Sequence, residues 1–289
     1  AALIVGLTAP IIGTYLVHRR LAMLGDGIGH ISLTGVALGW LVGAFANVSP
    51  ADSWAIPGAV IISLLGAITI ELVRQSGRTS GDTALAMLFY GGIAGGVLLI
   101  GLAGGTSAQL NSYLFGSIST VRWSDITLIT ILGIAIVALG IGLAPALFSV
   151  TNDEDFARST GLPVRTLSLL IAVLSALTVA VAMRVVGSLL VSALMVIPVA
   201  IAQLGARSFR STMGIAMALG VVICMSGLSL TYFIDLSPGA TIVVGAIALY
   251  AIGFGIRAIV DRIRRVRRLR AARGHNQHPE REHLAHADA

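Results

Sequence analysis

An all-helical, polytopic membrane protein with about nine transmembrane helices is the fold class this sequence predicts. Three observations predict it. First, 56% of the 289 residues are hydrophobic and only 11% are charged, where a soluble domain carries roughly 25% charged residues; mean hydropathy is +0.93. Second, the apolar runs approach the roughly 20 residues that a helix needs to cross the hydrocarbon core, and none shows the period-2 alternation of a membrane barrel. Third, the basic residues distribute unequally between the two sides that such spans define.

In chain order the spans are read at 2–18, 21–46, 54–73, 84–104, 125–149, 166–183, 186–205, 212–234 and 239–258. The seventh is separated from the sixth only by "MRVVGSLL". The stretch 105–124, "GTSAQLNSYLFGSISTVRWS", is too polar to span and is expected to be an interfacial or re-entrant element on the outer side. "TNDEDFARSTGLPVR" (151–165) reads as a short helix capped by Thr151 or Asn152, acidic in its first turn and ending at Gly161 before Pro163. Residues 257–273 hold eight arginines and form a helix leaving the membrane, and the last sixteen residues are polar enough to stay disordered. The chain is thus one membrane domain, 1–258, with a basic exit helix and tail, 259–289, and no soluble domain. The opening "AALIVGLTAP" lacks a basic leader, so no cleavable signal peptide is expected, and the missing Met points to a clipped N-terminus.

All nineteen basic residues are arginine. If the first loop is cytoplasmic, Arg19, Arg20, Arg74, Arg78, Arg158, Arg165, Arg207, Arg210 and the tail share that side. Arg122 and Arg184 fall on the other. This is the bias of the positive-inside rule, and it places the C-terminus in the cytoplasm.

The second span carries "LGDGIGHISLTGVALG" (24–39). At 3.6 residues per turn, Asp26 and His30 lie one above the other and Thr34 continues the stripe. Gly27, Gly35, Gly39 and Gly43 form a neighbouring stripe, broken by Ile31, that would let another backbone approach. Counted from Leu21, Asp26 would lie about 8 Å and His30 about 14 Å into the helix. A carboxylate at membrane depth costs about 2.5–3.5 kcal/mol, so it faces a cavity or a partner. Carboxylate plus imidazole suits zinc, manganese or ferrous iron. Two ligands are too few for a closed structural zinc site, but a pathway must release its ion. Spacing alone leaves three readings open: helix packing, a proton relay and a metal path.

Wider blocks bear on the choice. "RR" after the first span, "GDGIGHISLTGVALG", "SGDTALAMLFYGG" (80–92), "LNSYLFGSI" (110–118), "DEDFARSTGLPVR" (153–165), "AMRVVGSLLVSALMVIPVA" (182–200) and "IDLSPGATIVV" (234–244) occur in an order that resembles the integral-membrane subunit of zinc/manganese-type ABC importers. The resemblance implies an all-helical fold related to cobalamin and siderophore permeases. It implies a homodimer, two separate cytoplasmic ATPase subunits and an extracytoplasmic metal-binding lipoprotein. It implies that Asp26 and His30 contact the transported ion, whether zinc, manganese or iron, with no cofactor bound permanently. It also implies that the 151–165 helix docks on the ATPase, with Glu154, Ala157 and Gly161 approximating the coupling-loop pattern, one residue longer than the strict spacing.

The remaining features carry less. Pro198 removes one backbone bond and can kink its helix. Asn111, Tyr113 and Phe115 are expected to pack at the outer mouth as an interfacial aromatic element. The arginine-rich helix suits anionic lipid, at about 1 kcal/mol per near-surface arginine, and not nucleic acid. His275, His278, His283 and His286 mark a solvated tail. The lone Cys224 reads as a buried hydrophobe. No G-x-x-x-x-G-K-[ST] loop is present, so ATP hydrolysis belongs elsewhere, and no H-E-x-x-H suggests a metalloprotease. The expected function is inward movement of a divalent transition metal across a prokaryotic plasma membrane. Its rivals are a proton-coupled secondary transporter working without an ATPase and a membrane scaffold.

Overall fold

The computed structural model describes residues 1–46, 51–77, 81–104, 106–117, 123–234 and 236–276. Arg78, Arg122, His278, His283 and His286 lie outside them. Among the described residues there are only helices: α1 (Ala2–His18), α2 (Leu24–Phe45), α3 (Ala55–Ser76), α4 (Gly81–Leu102), α5 (Ser107–Phe115), α6 (Trp123–Gly142), α7 (Ala144–Asn152), α8 (Glu154–Ser159), α9 (Val164–Val186), α10 (Val191–Gln203), α11 (Phe209–Phe233) and α12 (Pro238–Asn276).

Seven of these, α2, α3, α4, α6, α9, α11 and α12, are long and apolar enough to cross a membrane; α1 and α10 are apolar but shorter, with 17 and 13 residues. The expected fifth span, 125–149, stops at Gly142, and a separate α7 follows with Pro145 in its first turn. α12 runs unbroken for 39 residues, so the last span and the arginine-rich exit helix are one element.

Burial ranks the helices. The apolar stretch of α9 is 78% buried and that of α2 61%, whereas α4 and α12 are each 17% buried. α9 and α2 therefore form the interior, and α4 and α12 present wide apolar faces outward. α1 joins the interior through close backbone approach: a Cβ at Gly6 would meet the Gly220 carbonyl of α11 at 2.7 Å. Tyr15 also donates its buried hydroxyl to the Gly140 carbonyl of α6 at 2.6 Å.

The turn after α1 sets where α2 begins. Leu21 N–H reaches Leu16 O and Arg20 N–H reaches Val17 O, the paired bonds of a Schellman cap. The residue at its left-handed position is Arg20, with φ +59°. Closing α1 in this way consumes residues 19–23, so α2 starts at Leu24 and not Leu21. Asp26 consequently lies in the first turn of α2, about 3 Å along its axis, and His30 about 9 Å along. The first-turn position favours a carboxylate, because the positive end of the helix dipole lies there.

The expected glycine stripe is a packing seam. Gly35 lies against Gly58 and Ala59, and Gly39 against Trp54 and Ala55, at the start of α3; Gly27 meets Leu85 of α4. A second seam runs from α4, where a Cβ at Gly92 would sit 2.6 Å from the His30 main chain and one at Gly96 would sit 2.9 Å from Leu33. Thr34 donates across this seam to the Gly92 carbonyl at 2.8 Å. Adding one methyl in such a contact forces the helices apart, at about 1–3 kcal/mol. Gly92→Ala is therefore expected to lower the melting temperature of the detergent-purified protein, while Gly91→Ala, where a Cβ meets nothing within 4 Å, leaves it unchanged.

Candidate functional site

Three elements converge on the Asp26–His30 stripe. α4 supplies Phe89, whose ring stands edge-on to the His30 imidazole with centroids 4.2 Å apart. α10 supplies Ser192, which donates its hydroxyl to Asp26 Oδ1 at 3.0 Å. The elbow between α9 and α10 supplies the Ser188 carbonyl, which a Cβ at Gly29 would meet at 2.6 Å. That elbow is fixed in turn by α5, because Ser188 N–H bonds Tyr113 O and Leu189 N–H bonds Leu114 O.

His30 is 2% exposed, and its Nδ1 has no hydrogen-bond partner. Asp26 is half-buried and lines a cleft of about 300 Å³ between α2 and α4, together with Met23, Asp82, Leu85, Phe89 and Tyr90. A buried imidazole nitrogen without a partner beside a carboxylate in a cleft can accept a cation or a proton. Among the described residues, no three acidic, histidine or cysteine side chains gather closely enough to hold a metal ion, so one copy of the chain offers a pair of donors and not a closed cage. Ser192, Phe89 and Asp82 were not singled out as site residues from sequence. Only the blocks "SGDTALAMLFYGG", which contains Asp82 and Phe89, and "AMRVVGSLLVSALMVIPVA", which contains Ser192, carried any signal.

The residues read as coupling positions lie elsewhere, at the end of the bundle where α1, α3 and α9 meet α8. Asp153, and neither Thr151 nor Asn152, caps α8: its Oδ1 accepts from Asp155 N–H at 3.0 Å and Phe156 N–H at 2.9 Å. Thr151 bonds back to Leu147 O inside α7 instead. Glu154 pairs with Arg19 and, at 3.3 Å, with Arg74, which is also held by Glu71 at 2.8 Å; Arg19 reaches Ser168 of α9 at 3.0 Å. Ala157 is fully buried, and Gly161 takes the left-handed φ of +84° that ends the turn. The α8 groups that face outward are Asp155, Phe156, Arg158 and Ser159.

Arg19, Arg20, Arg74, Arg158 and Arg165 thus share one end of the molecule. Arg184 is far along α9 from that end, paired with Asp125 at 3.5 Å and stacked over the Tyr113 ring at 5.1 Å. Tyr113 is 4% exposed and packs on Trp40, so it is a core residue and not an interfacial aromatic; Phe115 and Asn111 are exposed.

A sequence profile described as the ABC 3 transport family matches residues 1–257. The chain belongs to that family. As an ABC 3 protein it is a transport subunit and not an enzyme, with ATP hydrolysis carried by separate subunits. Among similar proteins, the manganese transport system membrane protein MntC of Halalkalibacterium halodurans is 32% identical over 254 residues, 88% of this chain and 84% of its own. The high-affinity zinc uptake system membrane protein ZnuB of Haemophilus influenzae is 30% identical over 246 residues, 85% of this chain and 90% of its own. The structure of PsaBC from Streptococcus pneumoniae in complex with Fab superposes with a TM-score of 0.76 at 31% identity, covering 88% of each chain.

The Glu154 clasp is pH-dependent. Burial alone would raise the Glu154 carboxyl, but Arg19 and Arg74 outweigh it and hold the group below the usual glutamate range. A carboxyl lowered by pairing adds stability in full above its unfolded-state value, and that stability is lost as pH falls through the lower folded-state value. Glu154→Gln is expected to melt below wild type at pH 7, and the difference should shrink as the pH of the melt approaches 4.

Proposed function

We propose that this chain is the permease subunit of an ATP-driven importer for a divalent transition metal, manganese or zinc, with Asp26 and His30 as the residues that contact the ion. Iron shares the same ligand preferences and is the third candidate. The observation that carries the reading is the pair itself: a carboxylate facing a cleft, and one turn away a buried imidazole whose Nδ1 has no partner. Each would replace part of the hydration shell of a cation, lowering the barrier where water is scarce. The names of MntC and ZnuB support manganese and zinc as the cargo.

In this reading the working unit is a homodimer whose two copies bring two Asp26–His30 pairs to one path. Two cytoplasmic ATPase subunits and an extracytoplasmic metal-binding protein complete it, in the plasma membrane of a prokaryote. The shorter α1 and α10 complete nine spans in the manner of the cobalamin and siderophore permeases. The shared arginine-rich end is cytoplasmic by the positive-inside rule, so the C-terminus is cytoplasmic too. There the outward groups of α8 meet the ATPase, the 1–258 region is the permease domain, and the first of the arginines that follow, those nearest the surface, contact anionic lipid.

Metal uptake by the complex reconstituted in proteoliposomes tests this. Asp26→Ala and His30→Ala, made separately, are expected to lower uptake by about 10- to 100-fold. Ser192→Ala, which only frees the Asp26 carboxylate, is expected to have a smaller effect. Unchanged uptake in both ligand variants would falsify the site. Uptake by this chain alone, driven by a pH gradient without an ATPase, would instead establish the proton-coupled alternative.

A further inference from the structure

The cleft that exposes Asp26 is shared by a second acid from another helix. α2 and α4 run side by side in the same direction: Gly27 meets Leu85, His30 meets Phe89 and Gly92, and Thr34 meets Gly92 and Gly95. Asp82 precedes Leu85 by three residues, which places it about 4.5 Å nearer the starts of the two helices than the Gly27 level. Asp82 is exposed, Asp26 is half-buried and His30 is 2% exposed. The three donors form a succession of increasing burial along one seam, with Phe89 against both the cleft and the imidazole. They do not converge on one point, since no trio of such side chains among the described residues is close enough to hold an ion together.

We infer that Asp82 is a further cation contact of this permease, a station on the open side of Asp26 through which the ion exchanges between ligands and water. The inference rests on the reading of Asp26 and His30 as the ion's contacts. A divalent cation sheds its hydration shell at a cost that is lowest when waters are replaced a few at a time. An exposed carboxylate can hold a cation that keeps most of its waters, a half-buried one can replace more of them, and the buried imidazole nitrogen stands last. Oxygen and imidazole donors together suit manganese and zinc. The competing account is that both acids only complement the positive ends of their helices, which would make Asp82 a matter of stability and not of ion movement.

Mn2+ transfer by the complex purified with its ATPase subunits and placed in proteoliposomes distinguishes the two. A Mn2+-quenched fluorophore inside the vesicles reports the release rate, and Mn2+ retained per complex after gel filtration reports the Asp26–His30 station. Asp82→Asn is expected to slow release by about tenfold with retained Mn2+ unchanged, and Asp82→Glu to restore the rate. Release at the wild-type rate in Asp82→Asn overturns the inference, as does a fall in release matched by an equal loss of retained Mn2+ that Asp82→Glu leaves in place. His30→Ala, run alongside, separates the two levels of the reading. If it retains Mn2+ at the wild-type level, the metal pair itself has failed and Asp82 with it; if it loses the ion while Asp82→Asn releases normally, only the Asp82 assignment falls.

Discussion

The structure depends on how closely other backbones can approach α2. In lipid the hydrophobic effect does not drive helices together, so association relies on contact between backbones and on the few hydrogen bonds that span them. α2 is built for such contact on several faces. Gly35 and Gly39 admit α3, Gly29 admits the α9–α10 elbow, and the bare Gly92 of α4 presses on the main chain of His30. Because these neighbours contact backbone, they fix the position of the helix without occupying the space in front of Asp26. Among the described residues the carboxylate is oriented by one hydroxyl, that of Ser192, and it faces an open cleft.

At the arginine-rich end a different force operates. Glu154 on α8 ties Arg19, just past α1, to Arg74 on α3, while Arg19 continues to Ser168 on α9. Arg19 has a side chain only 4% exposed, and a charge so enclosed is tolerated when its partners satisfy it. The same residue closes α1 and leads into the turn from which α2 departs. A displacement of α8 therefore reaches the helix that carries Asp26 through one ion pair and five residues of tight turn, with no long loop between to absorb it.

Much of this was legible in the sequence, and the limits have physical causes. Composition and run length identify apolar helices because lipid demands them, and the one-turn spacing of Asp26 and His30 is a property of any helix. The clustering of Arg19, Arg74, Arg158 and Arg165 follows from alternation of sides. Helix starts were less legible: Leu21 is as apolar as Leu24, and the Schellman turn that displaces the start uses an arginine where glycine is usual. Asp153 took the capping role from Thr151 because α7 runs on to Asn152 and leaves Asp153 as the first extended residue. The partners Ser192, Phe89 and Asp82 come from segments 50 or more residues away, and no local pattern encodes which face of α4 or α10 turns toward α2. The coupling reading of Glu154, Ala157 and Gly161 came from the family resemblance and not from local chemistry; the pairing of Glu154 with Arg19 and Arg74 depends on where those two arginines end up.

The continuity of α12 has a mechanical consequence. Thirty-nine residues in one helix make a shaft of about 58 Å, nearly twice the roughly 30 Å of hydrocarbon that its apolar part is fitted to cross. With no proline or break to act as a joint, a rocking of about 10° at the base would sweep the far tip sideways by about 10 Å. Small adjustments within the bundle would thus be magnified well outside the bilayer, as by a pointer on a gauge.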